Sequence, residues 1–477
     1  MASTNKSRRK FIKNSAIASS IFIVPRNVLG GVGYTPPSDQ LNIAGIGLHG
    51  KGNSDILHAS VGGRENVVAL CDVHQNAYGA KVAAEKFPKA KFYTDFREML
   101  EKENLDGVTI STPDHTHANI SKVAMEKGIH VYVQKPLTHN IKEARMLTKL
   151  ARKHKIVTQM GNQGASNPEQ VMIQKWIKDG RIGKVNKVYT WTNRPVWPQG
   201  VAMQSPDPSQ KPEGMDWDLW IGPAENRGYT PGLHAFDWRG FWDYGTGALG
   251  DMGCHIMDVP IKALGLFEPF SIEASVSNLP YAKAFTPSPL IEEACPSSSF
   301  ITYKFRPSEI NDSEVEMVWM DGGIRPSHPE IIKDKDDIGD NGVLMIGENG
   351  LIWSDNYGIN ARLYIKGQDA VVEKGKISEI NSVEFGHQSH WIDAIKDGYD
   401  SDKHRNLTSN FDFAGPLSEI VLLGNVAIRS SYIKRSPRSN VFIGKKRLLY
   451  DSKKMEITNL DKANQFLTRE YREGWKI

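Results

Sequence analysis

The chain has 477 residues, of which 39% are hydrophobic and 24% are charged. This composition excludes a disordered or fibrous protein and is typical of a globular chain of two or three domains. The formal charge of +4 comes from the N-terminus, because residues 1–33 hold six Lys and Arg and no Asp or Glu, and the remaining chain carries −2. That balance argues against a nucleic-acid partner.

The first residues predict an export signal. The stretch Ser7-Arg8-Arg9-Lys10-Phe11-Ile12-Lys13 matches the twin-arginine pattern. The apolar segment at 15–24 is too short to span a bilayer. The alternative is a frayed N-terminus that happens to contain Arg-Arg. We predict a signal and linker over residues 1–34, transport to the periplasm, and no stable membrane insertion.

Short apolar runs then alternate with helix-compatible stretches as far as residue 160. Such alternation predicts an α/β fold with a doubly wound parallel sheet of the Rossmann type over residues 35–160. The apolar runs are 41–46, 67–70, 107–111, 130–133 and 156–159, and the helical stretches are 53–61, 75–87, 117–127 and 140–154.

A glycine-rich turn follows the first apolar run and predicts a dinucleotide site. Glycines there let the backbone approach a pyrophosphate at the start of the next helix. Two registers fit: one runs Gly45-x-Gly47-x-x-Gly50, and the other runs Gly47-x-His49-x-x-Gly52. We favour the second, with Gly50 also in the turn, because it lies at the end of the strand.

The second and third runs also end in residues that suit a cofactor. Asp72 lies 20 residues after Gly52, where an acid accepts hydrogen bonds from the adenosine ribose. No Lys or Arg follows closely to bind a 2′-phosphate, so NAD is favoured over NADP; the alternative for Asp72 is a turn or helix-cap residue. Thr112, Pro113 and His117 follow the third run and are predicted to line the nicotinamide side, although His117 would fit equally well as a packing residue.

The fourth run leads directly into Lys135-Pro136. A lysine at the mouth of the sheet can hydrogen-bond a substrate hydroxyl beside the nicotinamide. Far along the chain, Asp251 and His255 stand four residues apart and would share one helix face. A carboxylate beside an imidazole suits a general base, but the same spacing is also typical of a plain ion pair. No second Cys or His lies at ligand spacing, so no metal is predicted.

The pattern changes after residue 161 and predicts a second domain over residues 161–477. Several strand-like runs follow one another without long helices, which indicates an α+β domain with an open, mostly antiparallel sheet and C-terminal helices. The runs are 185–193, 271–279, 299–305, 314–320 and 343–353, with helical patterns starting near residue 250 and over 413–431.

Taken in order, these features resemble the Gfo/Idh/MocA family of glucose–fructose oxidoreductase and inositol dehydrogenase, over about residues 40–400. The resemblance implies a catalytic triad of Lys135, Asp251 and His255, with bound NAD and a dimer or tetramer. It also implies that His255 takes the hydroxyl proton, Asp251 orients His255, and Lys135 holds the substrate oxygen. The export signal is similar to that of the exported glucose–fructose member, and residues 161–164 and 191–198 resemble a secreted subgroup from polysaccharide-degrading bacteria. Two residues depart from the family pattern: Gln134 replaces the usual Glu, and His49 replaces a fingerprint glycine.

Aromatic and charged residues near the triad suggest a carbohydrate substrate. Arg239 and Trp242 precede the predicted catalytic helix, and Arg194 and Trp197 form a similar, weaker group. The alternative is that the aromatic residues before the helix pack the second sheet. The leading hypothesis is an exported NAD-dependent sugar or polyol oxidoreductase that keeps its cofactor, since the periplasm holds no free nicotinamide pool. The alternatives are a redox-neutral glycosidase, which oxidises, eliminates, hydrates and re-reduces its substrate, and a non-catalytic binding protein.

Overall fold

The computed structural model describes residues 39–277, 291–333, 336–368, 383–439 and 441–477. The predicted export signal therefore lies outside the described residues. The chain divides into two compact units, Met1–Leu41 and Asn42–Ile477. All the elements below belong to the second unit.

The N-terminal part of this unit is a six-stranded parallel sheet with the order β3-β2-β1-β4-β5-β6. This is the strand order of a Rossmann fold, in which the change of direction beside β1 opens a crevice at the carboxyl ends of the strands. The predicted doubly wound sheet is confirmed. Its strands are β1 (Asn42–Ile46), β2 (Asn66–Cys71), β3 (Lys91–Tyr93), β4 (Gly107–Ile110), β5 (His130–Val133) and β6 (Thr158–Met160).

Helices pack against this sheet because their apolar stripes need burial. They are α1 (Lys51–Ala59), α2 (Tyr78–Lys86), α3 (Phe96–Lys102), α4 (His117–Glu126) and α5 (Ile141–His154). The next helix, α6 (Pro168–Lys178), packs on residues 258–264 instead. Sequence analysis missed β3, which has three residues, and the helices α3 and α6.

The second sheet has nine strands in the order β13-β12-β11-β7-β10-β9-β8-β14-β15. Its pairings are antiparallel except for β7 with β10, so the sheet is mixed, as expected for an open, mostly antiparallel sheet. The apolar run at 343–353 proves to be two strands, because a turn at residues 348–349 folds it into a hairpin. The strands are β7 (Val185–Trp191), β8 (Pro269–Ser277), β9 (Ser298–Phe305), β10 (Val315–Met320), β11 (Gly342–Gly347), β12 (Gly350–Ser354), β13 (Arg362–Ile365), β14 (Leu448–Asp451) and β15 (Glu456–Ile457).

The described residues contain six further α-helices. The longest, α12, packs on α5, α8 and β8 and fills the junction of the two cores. It is the one helix of the described residues whose length and apolarity would suit a membrane span, and 78% of its apolar window is buried inside the protein, as in a core helix. The helices are α7 (Trp217–Ile221), α8 (Gly247–Ile256), α9 (Asp258–Leu264), α10 (Val383–Asp397), α11 (Asp402–Arg405) and α12 (Phe411–Ser430).

Candidate active site

The turn between β1 and α1 forms a tight cradle. Gly47 has a φ of 78°, and a Cβ placed on it would lie 2.8 Å from the backbone carbonyl of Ser111. A Cβ on Gly52 would lie 1.9 Å from the Gly47 carbonyl oxygen. Both positions therefore need glycine, whereas Gly45 lies inside β1. The structure agrees with the register Gly47-x-His49-x-x-Gly52.

The start of α1 is open to an anion. Gly50 is the N-cap, no side chain caps the helix, and its first turn holds no acidic residue. Backbone N–H groups at such a helix start, together with the helix dipole, suit a pyrophosphate. His49, Gly50 and Lys51 line the cavity at this point.

Asp72 lies at the end of β2 and faces the same cavity. Its Oδ2 accepts a hydrogen bond from the Leu48 N–H at 2.8 Å, and its Oδ1 accepts one from the His74 N–H at 2.9 Å. Burial raises the pKa of Asp72, and the two N–H donors offset only part of that rise. The carboxylate thus ties the glycine turn to the end of β2, in the place where an adenosine ribose is bound in Rossmann domains.

The end of β4 brings Thr112 and Pro113 to the cavity, but it does not bring His117. The imidazole of His117 is completely buried, with Nδ1 2.9 Å from the Pro136 carbonyl oxygen and Nε2 2.8 Å from the Thr112 carbonyl oxygen. His117 therefore links the loops after β4 and β5 from behind. Contrary to expectation, His117 does not reach the cofactor cavity, because both of its ring nitrogens face backbone carbonyls. Its role is to position the two loops.

Lys135 and Asp251 meet across the cavity although 116 residues separate them. Lys135 Nζ donates to Asp251 Oδ1 at 2.8 Å and to the Asp251 backbone oxygen at 2.9 Å. Arg239 Nε lies 3.6 Å from the same carboxylate oxygen. Burial alone would raise the pKa of Asp251, but the charges of Lys135 and Arg239 outweigh it and hold that pKa below its ordinary value.

His255 lies one turn further along α8 and lines the cavity. Burial lowers its pKa to well below the ordinary value; Lys135 lowers it further, and Asp251 opposes both. The imidazole is therefore neutral at physiological pH and able to accept a proton. Its Nδ1 has no hydrogen-bond partner among the described residues. Its ring packs edge-on against that of Tyr357, with the two ring centres 4.7 Å apart.

The relation between Asp251 and His255 differs from the expected one. The two share a helix face, as their spacing predicted, but the hydrogen bonds that the described residues donate to the Asp251 carboxylate come from Lys135. Lys135, and not His255, bonds to the Asp251 carboxylate, because its ammonium group carries three N–H donors and lies within hydrogen-bond distance. Asp251 therefore orients Lys135 and acts on His255 only through its charge.

Tyr357 is a site residue that sequence analysis missed. It belongs to a 3₁₀ turn between β12 and β13, has a φ of 63°, and lines the cavity beside His255. A Cβ on Gly164 would lie 2.6 Å from the Tyr357 Cβ, so Gly164 leaves the room that this ring needs. The only sequence signal was Gly164 itself, in the motif at 161–164.

An aromatic wall closes the other side of the cavity, which has a volume of about 490 Å³. The Arg239 guanidinium carbon lies 4.2 Å from the ring centre of Trp238 and 4.7 Å from that of Phe236. Arg194 and Trp197 line the same cavity, as their sequence context suggested. Trp242, the fourth residue suggested for substrate, does not.

Trp242 belongs to the core instead. Its ring is 6% exposed, lies 5.7 Å from the Arg429 guanidinium, and lines a separate cavity of about 20 Å³. Trp238 and Arg239 lie in a 3₁₀ turn that borders the cavity, whereas Trp242 follows that turn and lies against Arg429 of α12. The suggestion that Trp242 binds substrate is therefore wrong.

Comparison with known proteins matches both halves of this site. Residues 41–162 match the NAD-binding Rossmann fold of an oxidoreductase family, Gfo/Idh/MocA, and residues 169–276 match the C-terminal alpha/beta domain of the same family. These two stretches of the chain therefore match the two domains of the Gfo/Idh/MocA oxidoreductase family. Its N-terminal domain is NAD-binding, and the cradle, the open helix start and Asp72 fit that cofactor.

Two curated proteins are similar in sequence to part of the chain. Levoglucosan dehydrogenase of Pseudarthrobacter phenanthrenivorans is 25% identical over 188 residues, which is 39% of this chain and 40% of that protein. Alpha-N-acetylgalactosaminidase of Shewanella oneidensis is 27% identical over 182 residues, which is 36% of this chain and 39% of that protein. The chain thus spans about 40% of the length of the curated relatives it matches.

Solved structures extend the similarity of fold across most of the chain. A levoglucosan dehydrogenase in complex with NADH and L-sorbose has a TM-score of 0.54 at 16% identity and covers 81% of this chain and 96% of its own. The WlbA dehydrogenase from Bordetella pertussis, in complex with NADH and UDP-GlcNAcA, has a TM-score of 0.53 at 15% identity and covers 81% and 95%. These likenesses show that the Gfo/Idh/MocA fold runs through both sheets.

Proposed function

We propose that this chain is an exported NAD-dependent oxidoreductase that moves a hydride to or from a carbohydrate CH–OH group. The observation that carries the proposal is the convergence of Lys135, Asp251 and His255 on one cavity with the NAD cradle. The aromatic and arginine side chains of the opposite wall suit the flat faces and hydroxyls of a sugar. The names of the dehydrogenase relatives support the same substrate class.

The side chains divide the work of this reaction. When bound, NAD accepts or returns the hydride. His255, kept neutral by its burial, takes the proton of the substrate hydroxyl. Lys135 holds the same oxygen by a hydrogen bond and favours the negative charge that develops there. Asp251 holds the Lys135 ammonium group in place by a hydrogen bond of 2.8 Å.

We further propose that the protein works in the periplasm with a retained cofactor and assembles as a dimer or tetramer. The support for export is the stretch at 7–13, and the support for an oligomer is the family resemblance. A cofactor that cannot exchange with a free pool would be regenerated by a second substrate in the same site.

The first experiment releases the cofactor and then tests the chemistry. The purified protein is denatured and any nucleotide is identified by chromatography; one NAD per chain supports retention. A panel of sugars and polyols is then supplied without added NAD, and paired oxidation and reduction is followed. A protein that binds NAD but converts no carbohydrate would count against the substrate class.

The Lys135→Ala variant tests the assignment of the site. Removing a group that holds the reacting oxygen is expected to lower turnover about 10²- to 10⁴-fold while NAD stays bound. The matched control is Lys102→Ala, whose ammonium group forms an exposed ion pair with Glu98 far from the cavity. A Lys135→Ala protein with full biological activity would favour a non-catalytic binding protein.

A second candidate function is the redox-neutral glycosidase. It is favoured by the similarity to the alpha-N-acetylgalactosaminidase of Shewanella oneidensis and to proteins named glycosyl hydrolase family 109. Lys135, Asp251 and His255 would serve this reaction too, because the glycosidase reaction begins and ends with the same hydride transfer. Release of an aryl aglycone without any added acceptor would support it, and no release across a panel of α- and β-glycosides would count against it.

A further inference from the structure

Asp55 on helix α1 is a completely buried carboxylate with four polar partners, three hydrogen-bond donors and one cation. Lys51 Nζ lies 3.0 Å from its Oδ1 in an ion pair, and Gln388 Nε2 donates to the same oxygen at 2.9 Å. Its Oδ2 accepts from Ser111 Oγ and from Gln134 Nε2, both at 2.8 Å. A buried carboxylate is costly unless it is fully paired and hydrogen-bonded, and this one is.

The four partners lie on or next to four different elements. Lys51 opens α1, Ser111 follows β4, Gln134 follows β5, and Gln388 lies on α10. Lys51, Ser111 and Gln134 also line the cavity, so Asp55 lies directly behind its floor. The carboxylate therefore joins the helix that receives the pyrophosphate to the strand end that carries the lysine of the proposed reaction.

We propose that Asp55 is a positioning residue for the cofactor floor and that its buried negative charge determines which side chain position 134 can hold. Gln134 must then be an amide. Its NH₂ group donates to Asp55, which turns its Oε1 towards the backbone N–H of Lys135, 3.4 Å away. Gln134 replaces the glutamate of the family pattern that the sequence resembles. The adjacent Asp55 carboxylate explains this difference, because it needs a donor at position 134.

A glutamate at position 134 would conflict with Asp55. It would put a second carboxylate oxygen where Gln134 Nε2 now lies, 2.8 Å from Asp55 Oδ2. The side chain has little room to move away, because a Cβ on the neighbouring Gly161 would lie 2.4 Å from Gln134 Nε2. Two like charges at this distance in a buried site repel strongly.

The test exchanges the charge between the two positions. Gln134→Glu and Asp55→Asn are each expected to weaken NAD binding at least tenfold and to lower the melting temperature. The double variant Asp55→Asn/Gln134→Glu restores one carboxylate and one amide in contact, so its NAD affinity is expected within about threefold of the wild type. The matched control is Asp412→Asn, an exposed ion-pair carboxylate with Arg152. NAD affinity is measured by calorimetry on protein stripped of nucleotide.

Two outcomes would overturn the proposal. One is a Gln134→Glu protein that binds NAD as the wild type does. The other is a double variant no better than the weaker single variant, since independent losses would add. If Asp55→Asn fails to fold, Gln134→Glu is compared with Gln134→Met, which removes the donor without adding charge; an equal loss in both would contradict the repulsion.

The calorimetric readout needs no carbohydrate, so it stands apart from the proposed function. Turnover of the same variants rests on that function. There, restored kcat in the double variant would show that Lys135 has regained its place. Restored NAD binding without any carbohydrate turnover in the wild type would support Asp55 and count against the substrate class alone.

Discussion

The contact between Lys135 and Asp251 sets the roles of the side chains in the site. Lys135 Nζ lies 2.8 Å from Asp251 Oδ1, so the carboxylate that was expected to orient His255 is hydrogen-bonded to the lysine instead. His255 is left neutral by its burial, with Tyr357 against its ring. At this scale the arrangement gives a fixed cation for the substrate oxygen and a separate proton acceptor.

Asp72 carries a prediction for cofactor affinity. Asp72→Asn removes the charge that a ribose hydroxyl would meet and sets an NH₂ group against a backbone N–H. A hydrogen bond to a charged group contributes about 1.5–3 kcal/mol, so NAD affinity is expected to fall roughly 10- to 100-fold.

The matched control for Asp72→Asn is Asp95→Asn. Asp95 also accepts a backbone N–H, that of Arg97, but it does not line the cavity. Equilibrium binding of NAD to both variants is the measurement. An unchanged affinity in Asp72→Asn would remove Asp72 from the cofactor site.

The β1–α1 unit shows how an element is shaped by two glycines. Gly52, in the first turn of α1, lies against the Gly47 carbonyl, and this contact brings the helix start close to the end of β4. His49, Gly50 and Lys51 at this helix start line the cavity, where a helix N-terminus suits an anion. Helix α8 uses a similar device, because a Cβ on Gly250 would lie 1.8 Å from Thr246 Oγ1, whose hydroxyl donates to Asp114 at 2.6 Å.

Gly52→Ala tests the role of the close approach. The added Cβ would lie 1.9 Å from a backbone oxygen, so α1 must move away from β1. We expect a loss of about 1–3 kcal/mol in the free energy of unfolding, as for other overpacked sites, and NAD affinity lowered at least tenfold.

Gly128→Ala provides the matched control for that substitution. Gly128 has a φ of 82° and no atom within 4 Å of an added Cβ. Gly128→Ala therefore costs stability through backbone strain alone, without a steric clash and without moving α1. Urea unfolding and NAD binding are measured for both variants. Equal NAD affinities would show that the approach of α1 does not control the cofactor site.

Across the whole molecule, buried histidines make the folded state sensitive to acid. Burial lowers the pKa of His115 and His387 to about 3, and that of His130 and His234 to about 4. Because these pKa values lie below the ordinary value of 6.5, the unfolded chain binds protons that the folded chain does not. The stabilisation is therefore present above about pH 6.5 and is lost as the pH falls towards these folded-state values.

Two buried carboxylates act in the opposite direction. Burial raises the pKa of Asp114 and of Asp321 to about 6, so each adds stability as the pH falls from 6 towards 4. They oppose part of the histidine effect over that range, and the buried histidines with a lowered pKa outnumber these two carboxylates. We expect a clear fall in the free energy of unfolding between pH 7 and pH 5, measured by urea titration.

His130→Asn tests one contribution to that fall. His130 Nδ1 accepts a hydrogen bond from the Val157 N–H at 3.0 Å, which an Asn oxygen can replace. Without a titrating ring, the difference in stability between pH 7 and pH 5 is expected to shrink by about 2 kcal/mol. The control His328→Gln changes an exposed ring and should leave the difference as it is. A wild type equally stable at both pH values would contradict the expectation.

The sequence by itself determined the parallel sheet, the glycine turn and the NAD-binding domain, because strand–helix alternation and the spacing of glycines are local properties. It also marked Lys135, Asp251 and His255 as candidates, since each stands in a short recognisable pattern. Only the tertiary structure decided which of these side chains bind one another, that His117 lies behind the cavity, and that Trp242 faces the core. Asp55 and Tyr357 could not be found in advance, because their partners lie up to 333 residues away and no local pattern marks them. Contacts between distant elements depend on how helices and sheets pack, and that packing is a property of the whole fold.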